Sequence, residues 1–258
     1  GPNIVGILSN SDLCNASFAP FLPLAGKAAL VSQSGALLIA MDASTYTRRV
    51  GFDKMVSIGN MSDVDFADTV EWLDQDEATA CISLYIEGLR NGRAFMHAAL
   101  KAAKPIVALK AGVSAHGAAA AASHTGSLAG SGKIYDAAFQ QGGVVRAADL
   151  NNLFDRTLAL SLQPPMQGEN MLIITNGGGV GVLATDAAVM NRLQVARFTD
   201  ETTGKLKDYL PKTANVKNPV DVIGDARMDR YKVAISSTLN DPNVDLSLIH
   251  ISEPTRPY

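Results

Sequence analysis

Ala28-Ala29-Leu30-Val31-Ser32-Gln33-Ser34-Gly35-Ala36-Leu37 is the stretch that sets the architecture of this chain. Four apolar residues with no charge and no proline fit a strand buried on both faces. The serines and glycine that follow close it in a tight turn. From 36 to 48 the apolar residues then recur at three- and four-residue spacing, the period of an amphipathic helix. A strand that passes through a glycine turn into a helix is the repeating element of a parallel sheet covered by helices.

The same alternation continues downstream. Met55-Val56-Ser57-Ile58, Cys81-Ile82-Ser83-Leu84-Tyr85, Pro105-Ile106-Val107-Ala108-Leu109 and Val144-Val145 read as further strands. Helices are predicted over 65–74, where Phe66, Val70 and Leu73 share a face, and over 93–103, 134–140 and 150–160, with a Gly/Ala/Ser loop over 111–132. These elements make one doubly wound domain over 26–162. Prolines and glycine in Gln163-Pro164-Pro165-Met166-Gln167-Gly168-Glu169 stop the last helix and give a linker. A second α/β unit begins at 170, with strands Met171-Leu172-Ile173-Ile174-Thr175 and 194–198 and helices over 180–190, 202–209 and 231–239; a third strand is predicted to begin near Val244. The fold class is therefore α/β, as two tandem doubly wound parallel-sheet domains.

The 258 residues suit two modest cores better than one. With 47% hydrophobic and 18% charged residues, disorder, a coiled coil and a fibrous protein are excluded. Lys+Arg 22 against Asp+Glu 25 gives a net charge of −3, which leaves no basic excess for nucleic acid or an anionic membrane. No apolar run is long enough for a membrane span and no leader pattern opens the chain, so a cytoplasmic protein is expected. Cys14 and Cys81 lack any CxxC spacing or neighbouring histidine. They read as small core residues of a reducing compartment, and no metal site is expected.

Three features could carry chemistry. The turns Ser32-Gln33-Ser34-Gly35 and Asn176-Gly177-Gly178-Gly179 occupy equivalent strand-to-helix places in the two units. Each leaves backbone N–H groups at the positive end of a helix, which suits a phosphate; each could equally be a packing turn that needs glycine. Neither matches a P-loop or a complete dinucleotide fingerprint. Ser123-His124-Thr125-Gly126-Ser127-Leu128-Ala129-Gly130 sets a histidine among small residues. Imidazole is a nucleophile that can accept and pass on a phosphoryl group near neutral pH, although a loop histidine can also be merely solvated. Glu87, in Tyr85-Ile86-Glu87-Gly88, stands at the carboxyl end of a strand, where open α/β sheets bind ligands. It could orient an imidazole, or pair with Arg90 or Arg93. His97 and His116 have no evident partners.

Taken together, Gly1-Pro2-Asn3, 32–37, Ser57-Ile58-Gly59-Asn60, Asp63-Val64-Asp65-Phe66, 85–88, 123–130, 175–181 and Asn218-Pro219-Val220-Asp221 resemble the NDP-forming acyl-CoA synthetase superfamily, in family order. The resemblance implies two flavodoxin-like domains, the first succinyl-CoA-ligase-like. Residues 1–25 would be the end of a CoA-binding domain, and 170–245 a truncated second domain. It implies a reaction of acyl-CoA, phosphate and ADP to carboxylate, CoA and ATP through an acyl phosphate and a phosphohistidine. His124 would carry the phosphoryl group, with Glu87 orienting it. Ser32, Gln33, Ser34, Gly35 and Asn176, Gly177, Gly178, Gly179 would hold phosphate between opposed helix dipoles, and Asn3 would contact CoA. Ile4 departs from the Cys or Ser common after this motif.

ADP/ATP and Mg²⁺ would bind on an ATP-grasp domain outside this chain, and an oligomer is expected. The alternative is the acyl-CoA-sensing scaffold of a bacterial protein-lysine acetyltransferase, less favoured because His124 is retained; a third is a flavin- or nucleotide-binding module without phosphoryl chemistry. Residues 246–258 resemble a translated transposon-end sequencing adapter, so His250 is expected to carry no function and the chain to be a fragment.

Overall fold

The structure is a computed structural model that describes residues 2–114, 116–117 and 132–252. It divides into two units, Gly1–Pro164 and Pro165–Tyr258, with the boundary inside the predicted linker.

In the first unit, β1 (Gly6–Ser9) and β2 (Cys14–Ser17) form a hairpin. Then β3 (Ala28–Ser32), α1 (Gly35–Arg48), β4 (Phe52–Ser57), α2 (Phe66–Gln75), β5 (Cys81–Ile86), α3 (Gly92–Lys101), β6 (Ile106–Lys110), α4 (Gly132–Gln141), β7 (Val145–Ala147) and α5 (Leu150–Leu162) alternate. The strand order is β2-β1-β4-β3-β5-β6-β7, parallel from β4 to β7 and antiparallel at β1 and β2. Numbered along the parallel part alone this is 2-1-3-4-5, the doubly wound order whose direction reverses between β3 and β5.

Apolar side chains leave the sheet on both faces. Leu38 and Met41 of α1 and Leu153 and Phe154 of α5 cover one face. Phe66 and Val70 of α2, Phe95 of α3, and Tyr135 and Phe139 of α4 cover the other. Phe66, Phe95, Phe139 and Tyr135 form an edge-to-face series with centroids 6.5, 6.2 and 6.0 Å apart, which ends beside the carboxyl end of β5. The helices begin where the sequence supplies caps. Asp65 and Asp68 form a reciprocal capping box at α2, and Asn91 and Asp149 cap α3 and α5.

The hairpin β1–β2 lies within residues 1–25, where no strand was predicted. Its strands are only four residues long, and Gly6 takes φ +130° where its backbone crosses that of Ser17. Cys14 is exposed there, against expectation, whereas Cys81 is buried and burial pushes its thiol up to about 12. β4 begins at Phe52, three residues before the predicted run, and includes Asp53 and Lys54. That charged pair is tolerated inside because Lys54 bridges Asp53 at 2.5 Å and Asp76 at 3.0 Å.

In the second unit β8 (Asn170–Thr175) is central, with β9 (Gln194–Val195), β10 (Val220–Asp221) and β11 (Leu246–Ile249) all parallel to it. The helices are α6 (Gly178–Met190), α7 (Asp200–Tyr209) and α8 (Met228–Thr238). β9 is shorter than the predicted 194–198, because the chain turns off early: Asp241 accepts the Thr199 N–H, and Asn243 donates to the Arg197 carbonyl. Asn218 accepts from Ile173 N–H and donates to the carbonyls of Met171 and Ala196, so this motif residue pins the sheet. Leu246–Ile249, which resembles adapter translation, nevertheless forms a largely exposed strand that pairs in parallel with β8. Among the described residues no helix is long and apolar enough to cross a membrane.

Candidate functional site

The carboxyl ends of β3 and β5 meet at the point where the strand order reverses. There the segments 3–5, 33–36 and 59–60, together with Glu87, line a cavity of about 240 Å³. Sequence alone places four of these stretches in different elements; the parallel register brings them together.

Ser34 ends the extended backbone and caps α1, its Oγ accepting from Leu37 N–H at 3.3 Å. The first turn of α1 thereby presents Gly35 and Ala36 to the cavity at its positive end. A Cβ on Gly35 would stand 2.5 Å from Val5 Cγ2, so glycine is what lets segment 3–5 approach. Gly59 requires glycine more strictly. It has φ +49°, and a Cβ there would lie 2.3 Å from the Asn3 carbonyl oxygen and 2.7 Å from that of Pro2. Asn3, itself left-handed at φ 61°, donates from Nδ2 to Asn60 Oδ1 at 3.2 Å and lines the same cavity.

Glu87 follows β5 directly and is only 8% exposed. Gln33, 6% exposed, accepts the N–H groups of Glu87 and Gly88 on its Oε1 at 2.7 and 2.9 Å. The amide oxygen of Gln33 is thus committed to holding the Glu87 loop. The Ser32 hydroxyl is also committed, donating to the Ser34 carbonyl at 2.8 Å. Of the first quartet predicted to bind phosphate, Gln33, Ser34 and Gly35 line the cavity, while Ser32 is fully buried and is not among its lining residues. Arg90 donates to the Met61 carbonyl.

Lys110 lies outside every motif that the sequence singles out. It ends β6, is 4% exposed, and donates from Nζ to the Glu87 carbonyl at 2.8 Å and to the Ala111 carbonyl. Its ammonium lies 4.6 Å from the centre of the Tyr135 ring, whose hydroxyl accepts Leu89 N–H at 3.1 Å. Burial lowers its pKa, and the nearby Glu87 charge opposes that shift. The signal was present: a lysine follows four apolar residues with no turn residue between, at the carboxyl end of a strand.

The second helix start is built differently. Gly177 precedes α6 without a side-chain cap, and its N–H donates to Thr175 Oγ1 at 3.0 Å. Asn176 Oδ1 accepts from Ser252 N–H, a Cβ on Gly178 would approach Asp221 Oδ2 at 3.3 Å, and Gly179 faces open space. His250 Nδ1 stands 3.1 Å from Thr175 Oγ1. His97 and His116 are exposed. His124 and its loop, 123–130, lie outside the described residues. Among the described residues no group of three or more His, Cys, Asp or Glu could hold a metal ion.

Comparison with known proteins identifies the domains of the chain. The model of the succinyl-CoA ligase like flavodoxin domain matches residues 25–160, and that of the Ligase-CoA domain matches 171–251. The chain is 46% identical to acetate–CoA ligase [ADP-forming] I subunit alpha of Pyrococcus furiosus, over 95% of this chain and 53% of the relative. It is 43% identical to acetate–CoA ligase [ADP-forming] I of Archaeoglobus fulgidus, over 96% of this chain and 36% of that protein. Among solved structures, the acetyl-coenzyme A synthetase 1 of Ca. Korarchaeum cryptofilum, dinucleotide forming, in complex with phosphate and ADP, superposes with a TM-score of 0.92 at 39% identity. That match covers 97% of this chain and 55% of the other. The chain spans about half the length of the Pyrococcus relative and about a third of the Archaeoglobus one. It belongs to the family of the succinyl-CoA ligase like flavodoxin domain.

Proposed function

We propose that this chain is part of an ADP-forming acyl-CoA synthetase, with acetyl the acyl group that its relatives' names support. The observation that carries the reading is the buried Glu87 beside the positive end of α1, in one cavity at the sheet's reversal point. A helix start offers N–H groups and a partial positive charge to a phosphoryl group, while a carboxylate can hold one imidazole nitrogen and leave the other free to attack.

The chemistry divides into three transfers. Phosphate oxygen attacks the thioester carbonyl; the C–S bond breaks, and CoA leaves as a thiolate that takes up a proton. Nε2 or Nδ1 of His124 then attacks phosphorus of the acyl phosphate, the bridging P–O bond breaks, and the carboxylate leaves. Finally ADP oxygen attacks the phosphohistidine, and the N–P bond breaks to give ATP and free imidazole. Glu87 offsets the positive charge that the imidazole gains. The starts of α1 and α6 each supply a positive helix end, with Ser34 and Gly35 in the first unit and Gly177, Gly178 and Gly179 in the second. Gln33 acts by holding Glu87, and Asn3 borders the place where CoA would deliver its thioester.

The parent protein is read as supplying a CoA-binding domain and an ATP-grasp domain, assembled as an oligomer in the cytoplasm. Mg²⁺ would enter with the nucleotide on the ATP-grasp domain. The named relatives are ligases, which gives the acetyltransferase-scaffold alternative no support.

The test supplies an ATP-grasp partner chain from an ADP-forming acetate–CoA ligase and γ-labelled ATP, and compares this chain with His124→Ala. Acid-labile, base-stable label on the wild type alone is the expected result. If the partner's own alpha chain is labelled in the same assay and this chain is not, the reading fails.

A further inference from the structure

The peptide that carries Glu87 is held from both sides. Gln33 Oε1, reaching across from the turn after β3, accepts the N–H groups of Glu87 and Gly88 at 2.7 and 2.9 Å. From the opposite neighbouring strand, β6, Lys110 Nζ donates to the Glu87 carbonyl at 2.8 Å. Both side chains are more than nine-tenths buried, and both of these contacts are to the main chain of Glu87. The same ammonium also donates to the Ala111 carbonyl, where the chain leaves β6 and runs on in sequence toward His124.

Holding a carbonyl does not by itself require a charge; a buried amide would do so without the cost of desolvating an ammonium. A cation here does two things that an amide does not. It gathers two carbonyls and the face of Tyr135 around one point, with the ring 4.6 Å away; that ring's own hydroxyl accepts Leu89 N–H from the Glu87 loop. It also sets a positive charge close to the Glu87 charge, which favours the ammonium form.

We propose that Lys110 is a positioning residue for Glu87: with Gln33 it fixes the peptide from which the carboxylate projects, so that the carboxylate meets imidazole in one orientation. The inference rests on the phosphoryl relay proposed above. Lys110 touches no reacting atom; its effect passes through Glu87, and that makes it separable from a merely structural lysine.

The experiment is a double-mutant cycle in the assembly with the ATP-grasp partner, read as the initial rate of labelling. Lys110→Met is expected to lower the rate roughly 30-fold while the KM for ATP changes less than about twofold. In the Glu87→Gln background the same change is expected to cost less than about threefold, because the residue it positions is already disabled. Amide exchange at Glu87 and Gly88 should rise about tenfold in Lys110→Met, with the strand amides of β3 unchanged. Lys110→Gln, which keeps a donor and removes the charge, serves if the methionine variant does not fold, and should fall between it and the wild type.

A full, multiplicative loss in the Glu87→Gln background overturns the proposal, as does unchanged exchange at Glu87. Failure of the relay itself appears separately, as a wild type that takes no label. That result removes the role assigned to Lys110 along with the relay.

Discussion

The two glycine turns look alike as sequence and differ in surroundings. At the start of α1, the turn lies against segment 3–5, Gly59 and a buried Glu87, itself held by Gln33 and Lys110. At the start of α6, Gly179 faces open space, the helix has no side-chain cap, and Asn176 accepts a hydrogen bond from Ser252. A strand–turn–helix start supplies backbone geometry and a positive end in both cases. What turns the first into a candidate site is the set of buried polar groups brought to it from β5 and β6.

The contrast can be broken most directly at Glu87. Glu87→Gln keeps the shape and removes the charge, and is expected to lower labelling of the chain about 10²–10³-fold with little change in melting temperature. A comparable loss accompanied by unfolding would make Glu87 a fold residue instead.

Glycine replacement sharpens the comparison in terms of stability. Gly59→Ala puts a Cβ 2.3 Å from the Asn3 carbonyl oxygen at φ +49°, so it should cost more than about 2 kcal/mol in chemical denaturation. Gly179→Ala meets nothing within 4 Å and should be neutral or stabilising by up to about 1 kcal/mol. Equal effects at the two positions would contradict the difference in packing.

A smaller effect lies within α1 itself. Asp42 is buried, both its carboxylate oxygens lack a hydrogen-bond partner, and burial pushes its pKa up to about 6. The unfolded chain holds this group near 3.8, so it destabilises the fold progressively as pH rises from about 4 to about 6, and fully above that. Asp42→Asn should therefore stabilise the chain by about 1–2 kcal/mol at pH 7.5 and by nothing measurable below pH ~4. A gain that does not vary with pH would assign the effect to packing.

Much of the fold was legible because buried parallel strands are nearly free of charge: β3, β5 and β8 each match an apolar run to within one residue at either end. The β1–β2 hairpin was not, since Gly-Ile-Leu-Ser and Cys-Asn-Ala-Ser are only four residues each, and the first is fixed by pairing with distant β4 while the second pairs with β1 alone. For the site, the places of Glu87, the helix starts and Lys110 follow from strand ends. The roles of Gln33 and Lys110 do not, because they are set by where the side chains reach: Gln33 reads as a phosphate ligand until its amide oxygen is found on the Glu87 loop. Lys110 belongs to no motif, and its place is decided by the Glu87 carbonyl and the Tyr135 ring found against it.

The central claim is that the cavity at the start of α1 binds the phosphoryl group, and titration of inorganic phosphate followed by ³¹P NMR tests it most directly. Ala36 lines that cavity in the first turn, where an added carboxylate suits the helix dipole while opposing an anion. Ala36→Glu should weaken phosphate binding at least about tenfold with the melting temperature unchanged or raised. Phosphate binding that is equal in the wild type and Ala36→Glu, and lost instead in Gly179→Glu, would contradict the account.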